Sequence, residues 1–312
     1  MLNRRDFVRS SALAAGALIT GPNLASAMED LAPIRLTILH TNDTHSRLEP
    51  FPMDGSRNQG LGGIAGRAEL IRQVREKESL VLLLDAGDIF QGTPFFNIYK
   101  GEPEIKAMAA MGYDACTIGN HDFDAGMENL ALQLGRHANF PMLVANYDFN
   151  GTPMEGKTLP FKVFKKGKLR IGVFGLGIEG KGLIPDNLFG KTVYQDPIQR
   201  ANEISSLLIT QEKCDMVICL SHLGYQYKGS NKISDEILAR ESKNIDLIIG
   251  GHTHTFFEKP LIFQNKNGDD VVVNQVGWAG IILGRLDFEF SKFLGKKLVK
   301  NHNIFVSQKT GG

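Results

Sequence analysis

Five apolar runs in this chain each stop abruptly at a small cluster of polar residues. Residues 34–39 run into His40-Thr41-Asn42-Asp43-Thr44-His45, and residues 80–84 into Asp85-Ala86-Gly87-Asp88. Residues 115–118 run into Gly119-Asn120-His121-Asp122, residues 216–220 into Ser221-His222, and residues 245–249 into Gly250-Gly251-His252-Thr253-His254. Short continuous apolar runs are the pattern of strands buried on both faces, so each needs a covering layer on either side. In open α/β sheets, ligands sit beyond the carboxyl ends of the strands. Five polar strand exits therefore predict one shared functional rim.

The segments between these runs alternate in period. Helical spacing is predicted over 66–78, 104–111, 127–137, 198–210 and 234–240, with further strands over 142–145, 161–164 and 169–176. Asp196-Pro197 is a helix opening, a cap followed by proline at the first helical position. The last third reads as strands alone, over 261–263, 271–276, 281–290 and 297–305. Helix–strand units followed by strands fit two packed sheets with helices outside. The chain has 312 residues, 42% of them hydrophobic, and no convincing linker, so the mature part is expected to be one domain. A core of that size needs no metal or disulfide staple, so a metal here is expected to be catalytic. The formal charge is +1 and no basic stripe is interleaved with aromatics, which argues against a nucleic-acid polymer as partner. Cys116, Cys214 and Cys219 have no metal-like spacing, and their apolar neighbours mark them as small buried hydrophobes.

The first 27 residues differ from the rest. Arg4 and Arg5 precede Phe7, a short apolar core covers 10–19, and Ala25-Ser26-Ala27 is a small-residue cleavage site. That is the layout of a signal peptide, too short to span a membrane, and the paired arginines resemble a twin-arginine export signal. Residues 1–27 are thus expected to be a leader and 28–312 the working domain, exported to the periplasm or beyond, with a mature charge of −1. No stable membrane insertion is expected.

Asp and His are oxygen and nitrogen ligands for divalent transition metals. The spacings Asp43-x-His45 and His252-x-His254 would put two side chains on one side of an extended segment. Asp88 has two carboxylate oxygens and could bridge two ions. Asn120 offers an amide oxygen without charge. His40 is expected to be structural, while Asp122 could support the ligands or face solvent.

In that order, D-x-H, G-D, G-N-H-D, a strand-end His and G-H-x-H resemble the motifs of the calcineurin-like metallophosphoesterases. The flanks Leu39-His40-Thr41-Asn42-Asp43, Gly62-Gly63-Ile64-Ala65-Gly66-Arg67, Gln91-Gly92-Thr93-Pro94, Gly112-Tyr113-Asp114-Ala115, Asn120-His121-Asp122-Phe123-Asp124 and Ser221-His222-Leu223-Gly224-Tyr225 are similar to the catalytic domain of the bacterial 5′-nucleotidase group. The resemblance covers nearly the whole mature chain. It implies a four-layer α/β/β/α sandwich and two divalent metal ions, with Mn, Zn, Fe and Co all compatible. One ion would take Asp43, His45, Asp88 and His254. The other would take Asp88, Asn120, His222 and His252. His121, oriented by Asp124, would stabilise the transferring phosphoryl group and protonate the leaving oxygen.

The activity so implied is hydrolysis of phosphate esters, with nucleoside 5′-monophosphates or a broad range of small-molecule phosphomonoesters as substrates. Cyclic-nucleotide or nucleotide-sugar diphosphate hydrolysis is the alternative, hydrolysis of a sulfur ester a further one, and an inactive metal-binding module the non-enzymatic reading. The longer nucleotidases carry a second, nucleoside-holding domain, and this sequence ends near where it would begin. A separate chain supplying that domain is one expectation this raises.

Overall fold

The computed structural model describes residues 32–291 and 295–307, so the leader expected over 1–27 lies outside the described residues. Two sheets organise the chain. The first has the order β13-β12-β1-β2-β3, built from β1 (Ile34–Thr41), β2 (Val81–Asp85), β3 (Ala115–Cys116), β12 (Ile282–Ser291) and β13 (Gly295–Phe305). Strands β1, β2 and β3 are parallel, and β12 runs antiparallel to β1. The second has the order β10-β11-β9-β8-β6-β5. Its strands are β5 (Phe161–Lys166), β6 (Leu169–Leu176), β8 (Met216–Ser221), β9 (Leu247–Gly250), β10 (Leu261–Gln264) and β11 (Asp270–Asn274). There β6, β8, β9 and β11 are parallel.

Period-2 alternation explains the layering. Leu36, Ile38, Leu82 and Leu84 of the first sheet pack against Ile171, Val173, Ile218, Leu220, Leu247 and Ile249 of the second in one buried cluster. The residues between them point outward. Leu39 and Leu83 meet α1 (Ile64–Lys77), α3 (Glu102–Met111) and α4 (Met127–His137) through Leu70, Ile71, Ile105 and Leu130. Phe174, Cys219 and Ile248 meet α6 (Pro197–Thr210) and α7 (Asp235–Glu241) through Ile204, Leu208 and Leu238. The result is the expected four-layer α/β/β/α sandwich. Strands buried on both faces are why these runs carry no polar alternation.

The cap read at Asp196 forms, and Ser234 caps the helix that follows in the same way. The Gln199 N–H donates to Asp196 Oδ1 at 2.7 Å, and the Ile237 N–H to Ser234 Oγ. All three cysteines are buried free thiols. Some elements differ from expectation. The run 115–118 keeps only two residues in β3, and 142–145 makes isolated bridges from Met142 to Cys116 and from Leu143 to Leu159 rather than a strand. Short elements without a counterpart in the sequence reading include α2 (Pro94–Tyr99), α5 (Asp186–Phe189) and the pair β4 (Tyr147–Asp148) with β7 (Val193–Tyr194).

Candidate metal centre

All five polar clusters lie at the carboxyl ends of β1, β2, β3, β8 and β9. Three come from one sheet and two from the other. Their side chains gather into two groups, Asp43 with His45 and His254, and Asp88 with His222 and His252; within each group the possible ligand atoms lie within 4.8 Å of one another. Asp88 stands between the groups. Its Oδ2 is 3.1 Å from His222 Nε2 and 3.8 Å from His45 Nε2. Asn120 Oδ1 lies 2.8 Å from His252 Nδ1, beside the second group.

Neighbouring carbonyls fix which ring nitrogen carries each proton. A carbonyl only accepts, so the contact from His222 Nδ1 to Ala86 O (2.7 Å) places one proton there, and in the neutral ring Nε2 keeps its lone pair. The contact from His45 Nδ1 to Phe90 O (3.2 Å) does the same for His45. His45 Nε2 then lies 3.0 Å from His254 Nε2, two ring nitrogens converging on one point. His222 Nε2 is fully buried and makes no hydrogen bond of acceptable geometry despite the nearby Asp88 oxygen. An orphaned buried nitrogen facing a carboxylate is what a cation would satisfy.

The electrostatics agree. Burial alone would lower the His222 pKa, but the Asp88 and Asp43 carboxylates overcome it and hold it up at about 10, so they favour positive charge at Nε2, a proton or a cation in its place. Burial would likewise raise Asp88, yet His222 and His45 hold it below the usual carboxylate range. The centre thus attracts positive charge. His252 is pushed down to about 3, by burial first and His222 second, so it stays neutral and able to donate a lone pair. Mixed carboxylate, imidazole and amide donors fit divalent transition metals.

The ligand segments are not extended. Asp43, His45, Asp88, His252 and His254 have φ of 49°, 46°, 56°, 69° and 52°, all left-handed. The Asp43-x-His45 pair meets within one group because the backbone coils, whereas His252 and His254 diverge into different groups. The expectation of an extended segment is corrected accordingly. Asp43 is held from behind. The His252 N–H donates to Asp43 Oδ1 and Oδ2 at 2.9 and 3.0 Å, and Asn42 Nδ2 to Asp43 Oδ2 at 2.6 Å. A methyl group on Gly119 would meet Asp88 Oδ1 at 2.1 Å, so only glycine fits there.

His121 belongs to neither group. Its backbone N–H donates to Asp88 Oδ1 at 2.8 Å, and its ring lies 5.3 Å from that of His45. Its Nδ1–H donates to Asp124 Oδ2 at 2.8 Å, and this bond raises its pKa. The structure therefore brings together all nine residues named from the sequence. His40 stays apart, buried, neutral at a pKa of about 3, and accepting from Asn274 Nδ2.

Two supporting residues carried no decisive local signal. Asp122 is buried and accepts four backbone N–H groups: Gly119 at 2.8 Å, Ile89 at 2.9 Å, Phe90 at 3.1 Å and Asp88 at 3.2 Å. It ties the exit of β2 to the exit of β3. Trp278 stacks on the His254 ring, centroids 5.8 Å apart and planes within 10°.

Comparison with known proteins agrees with this geometry. Residues 36–256 match the family model described as calcineurin-like phosphoesterase. The snake venom 5′-nucleotidase of Gloydius brevicauda is 34% identical over 302 residues, 88% of this chain and 49% of that protein. The 5′-nucleotidase of Bos taurus is 35% identical over 280 residues, 83% of this chain and 47% of its own length. The chain thus spans about half the length of the curated relatives it matches. The crystal structure of a 5′-nucleotidase precursor from Thermus thermophilus superposes with a TM-score of 0.78 at 31% identity, over 88% of this chain and 55% of that one. With those matches over the same strands that carry the two ligand groups, the chain belongs to the calcineurin-like phosphoesterase family.

Proposed function

We propose that this protein hydrolyses phosphate monoesters at a two-metal centre, with nucleoside 5′-monophosphates as the favoured substrates. The observation that carries this is the position of the Asp88 carboxylate between His45 of one group and His222 of the other. A single carboxylate between two ligand groups suits a bridged pair of divalent ions. Asp43, His45, Asp88 and His254 would hold one ion, and Asp88, Asn120, His222 and His252 the other. Mn, Zn, Fe and Co all suit these donors.

Two such ions, when bound, clamp the phosphoryl oxygens and ease deprotonation of a water at neutral pH. The protein's own part is orientation and proton transfer. Protonated His121, with Asp124 fixing its ring through Nδ1, presents Nε2–H to the leaving oxygen and donates as the alkoxide forms. The N–H bonds to Asp43 and Asp88 keep both carboxylates aimed inward without reorganisation during the reaction. Among the described residues no helix is long and apolar enough to cross a membrane. Export through the leader at 1–27, by the twin-arginine route to the periplasm, is part of the same proposal and rests on the leader's layout alone.

Activity on an aryl phosphate and on a panel of nucleoside 5′-monophosphates, with and without added Mn²⁺ or Zn²⁺, tests the reading. Metal-dependent phosphate release, fastest with nucleotides, is expected. No release from any ester by metal-loaded protein would leave an inactive metal-binding module as the answer.

A further inference from the structure

The loop over residues 224–233 carries a lysine beside the second ligand group. The Tyr225 N–H donates to Thr253 Oγ1 at 3.0 Å, which ties the loop to the segment between His252 and His254. The Tyr227 hydroxyl donates to the carbonyl of Leu223, the residue after His222, at 2.6 Å. Gly224 permits that fold back, because its φ is +89° and a methyl group there would run into the Tyr227 hydroxyl. The Tyr227 ring thus lies 6.4 Å, centroid to centroid, from the His252 ring. Lys232 Nζ sits 4.6 Å from the Tyr227 centroid, a cation–π contact.

Lys232 is exposed, and among the described residues no carboxylate lies within ion-pair distance of it; Glu179 is felt only across a longer gap. The steps from Nζ to Tyr227 and from Tyr227 to His252 together span little more than the screening length of about 8–10 Å at ordinary salt. The ammonium charge is accordingly felt at His252, where it helps to keep that ring neutral. Lys232 also borders a cavity of about 340 Å³ that neither Tyr227 nor any metal ligand lines. Glu179 and Asp196 line it too, so an anion gains nothing there. The attractive side of Lys232 is the one toward Tyr227 and His252.

We infer that Lys232, carried on the Tyr227 ring, is a guide charge that draws the dianionic phosphate ester to the second ligand group. The inference rests on the proposed phosphate-ester chemistry and adds a residue outside the nine that form the centre. An aromatic ring fixes an ammonium without neutralising it, whereas a carboxylate partner would cancel its field. A fixed cation beside a site raises the local concentration of anions and speeds their encounter. Such a charge acts on approach and binding and leaves the bond-breaking step to the metal centre.

Lys232→Gln keeps most of the stem and removes the charge, while Lys232→Arg keeps the charge. With metal-loaded, full-length protein and a nucleoside 5′-monophosphate at low salt, the Gln variant should lower kcat/KM about 3–30-fold, the scale of one screened charge near a dianion. The loss should fall on KM, with kcat within about twofold of the parent. It should vanish near 1 M salt, where the screening length is about 3 Å, and the Arg variant should keep the parental value. Calorimetric titration of inorganic phosphate reads the same charge without turnover and should show weaker binding in the Gln variant by a similar factor. Equal metal content and melting temperature certify an intact centre. Parental kcat/KM and phosphate affinity in the Gln variant at low salt overturn the inference. So does a loss that salt does not screen or that Arg does not restore, the mark of a structural role. Weaker phosphate binding in the Gln variant, with no hydrolysis by any form, would support the guide while removing the proposed activity. Hydrolysis indifferent to the charge would do the reverse.

Discussion

Replacing Asp122 by asparagine tests the idea that the ligands are aimed by backbone, not merely by the metal. The substitution keeps volume and converts one oxygen to an NH2 group. Whichever way the amide turns, two of the four N–H groups now facing Asp122 will face a donor. An orphaned buried donor costs about 1–3 kcal/mol, which puts two at about 2–6 kcal/mol. One effect offsets part of this. Burial, and then the Asp88 charge, push the Asp122 carboxyl up to about 7, so losing its charge relieves repulsion. The net loss should fall at about 2–4 kcal/mol, a large share of the roughly 5–15 kcal/mol that holds a domain together. One pair is Asp88 with Gly119 and the other is Ile89 with Phe90, so either orientation loosens Asp88 or the residues next to it, and metal affinity should fall about 10–100-fold although no ligand has changed. Urea unfolding gives the first quantity and elemental analysis across a chelator series the second. A stability loss under about 1 kcal/mol together with parental metal affinity would refute the reasoning.

Four further outcomes follow from the same geometry. Asp88→Ala should strip both ions and abolish activity together, read by elemental analysis and phosphate release. His121→Ala should keep both metals and cut turnover by about 10²–10⁴; loss of metal there would end its assignment as proton donor. Asp124→Asn removes the bond that raises the His121 pKa. The His121–Asp124 contribution is full below the ordinary histidine pKa and is lost as pH rises through the raised one, so the alkaline limb of kcat should move to lower pH in the variant. Gly119→Ala should displace Asp88 and empty the centre, because a methyl group there would lie 2.1 Å from Asp88 Oδ1; wild-type metal content would contradict this.

The rim was legible because its signal is local. An apolar strand that ends in Asp, His or Asn needs no distant partner to be noticed, and all nine named residues meet. What the sequence hid depends on distance. The N–H partners of Asp122 are 3 to 34 positions away, and no spacing rule links them. Trp278 meets His254 across a segment that contains β10 and β11. Helix α2 carries Pro94-Phe95-Phe96-Asn97-Ile98-Tyr99, a poor helical sequence. It forms where Phe96 packs on Phe90, ring centroids 5.4 Å apart. The apolar run 115–118 promised a longer strand than β3. The pairing with β2 ends with the Thr117 N–H bond to Asp85 O, and the Thr117 hydroxyl turns instead to Leu143 O. Local pattern identified residue types and their order, while tertiary packing decided backbone course.

The left-handed ligands show why this chemistry needs two sheets. Such a conformation costs about 1–2 kcal/mol for a residue with a side chain, so five of them together cost about 5–10 kcal/mol, comparable to the stability of the domain. A rim that strained survives only if it is over-determined. The Asp43, His45 and Ser46 N–H groups donate to the carbonyls of Gly87, Asp88 and Ile89, extending the β1–β2 pairing past the end of both strands. The Asp43 carboxylate then crosses to the second sheet through the His252 N–H, and the Ala279 N–H returns to the Asp43 carbonyl at 2.7 Å. A single sheet would set its exits in a row, with ligands reaching a cation from one side only. Two sheets packed face to face, about 10 Å apart, place Asp43, His45, Asp88 and Asn120 opposite His222, His252 and His254. Opposed ligands can surround a pair of ions, and the apolar layer between the sheets fixes the gap that the pair must fit.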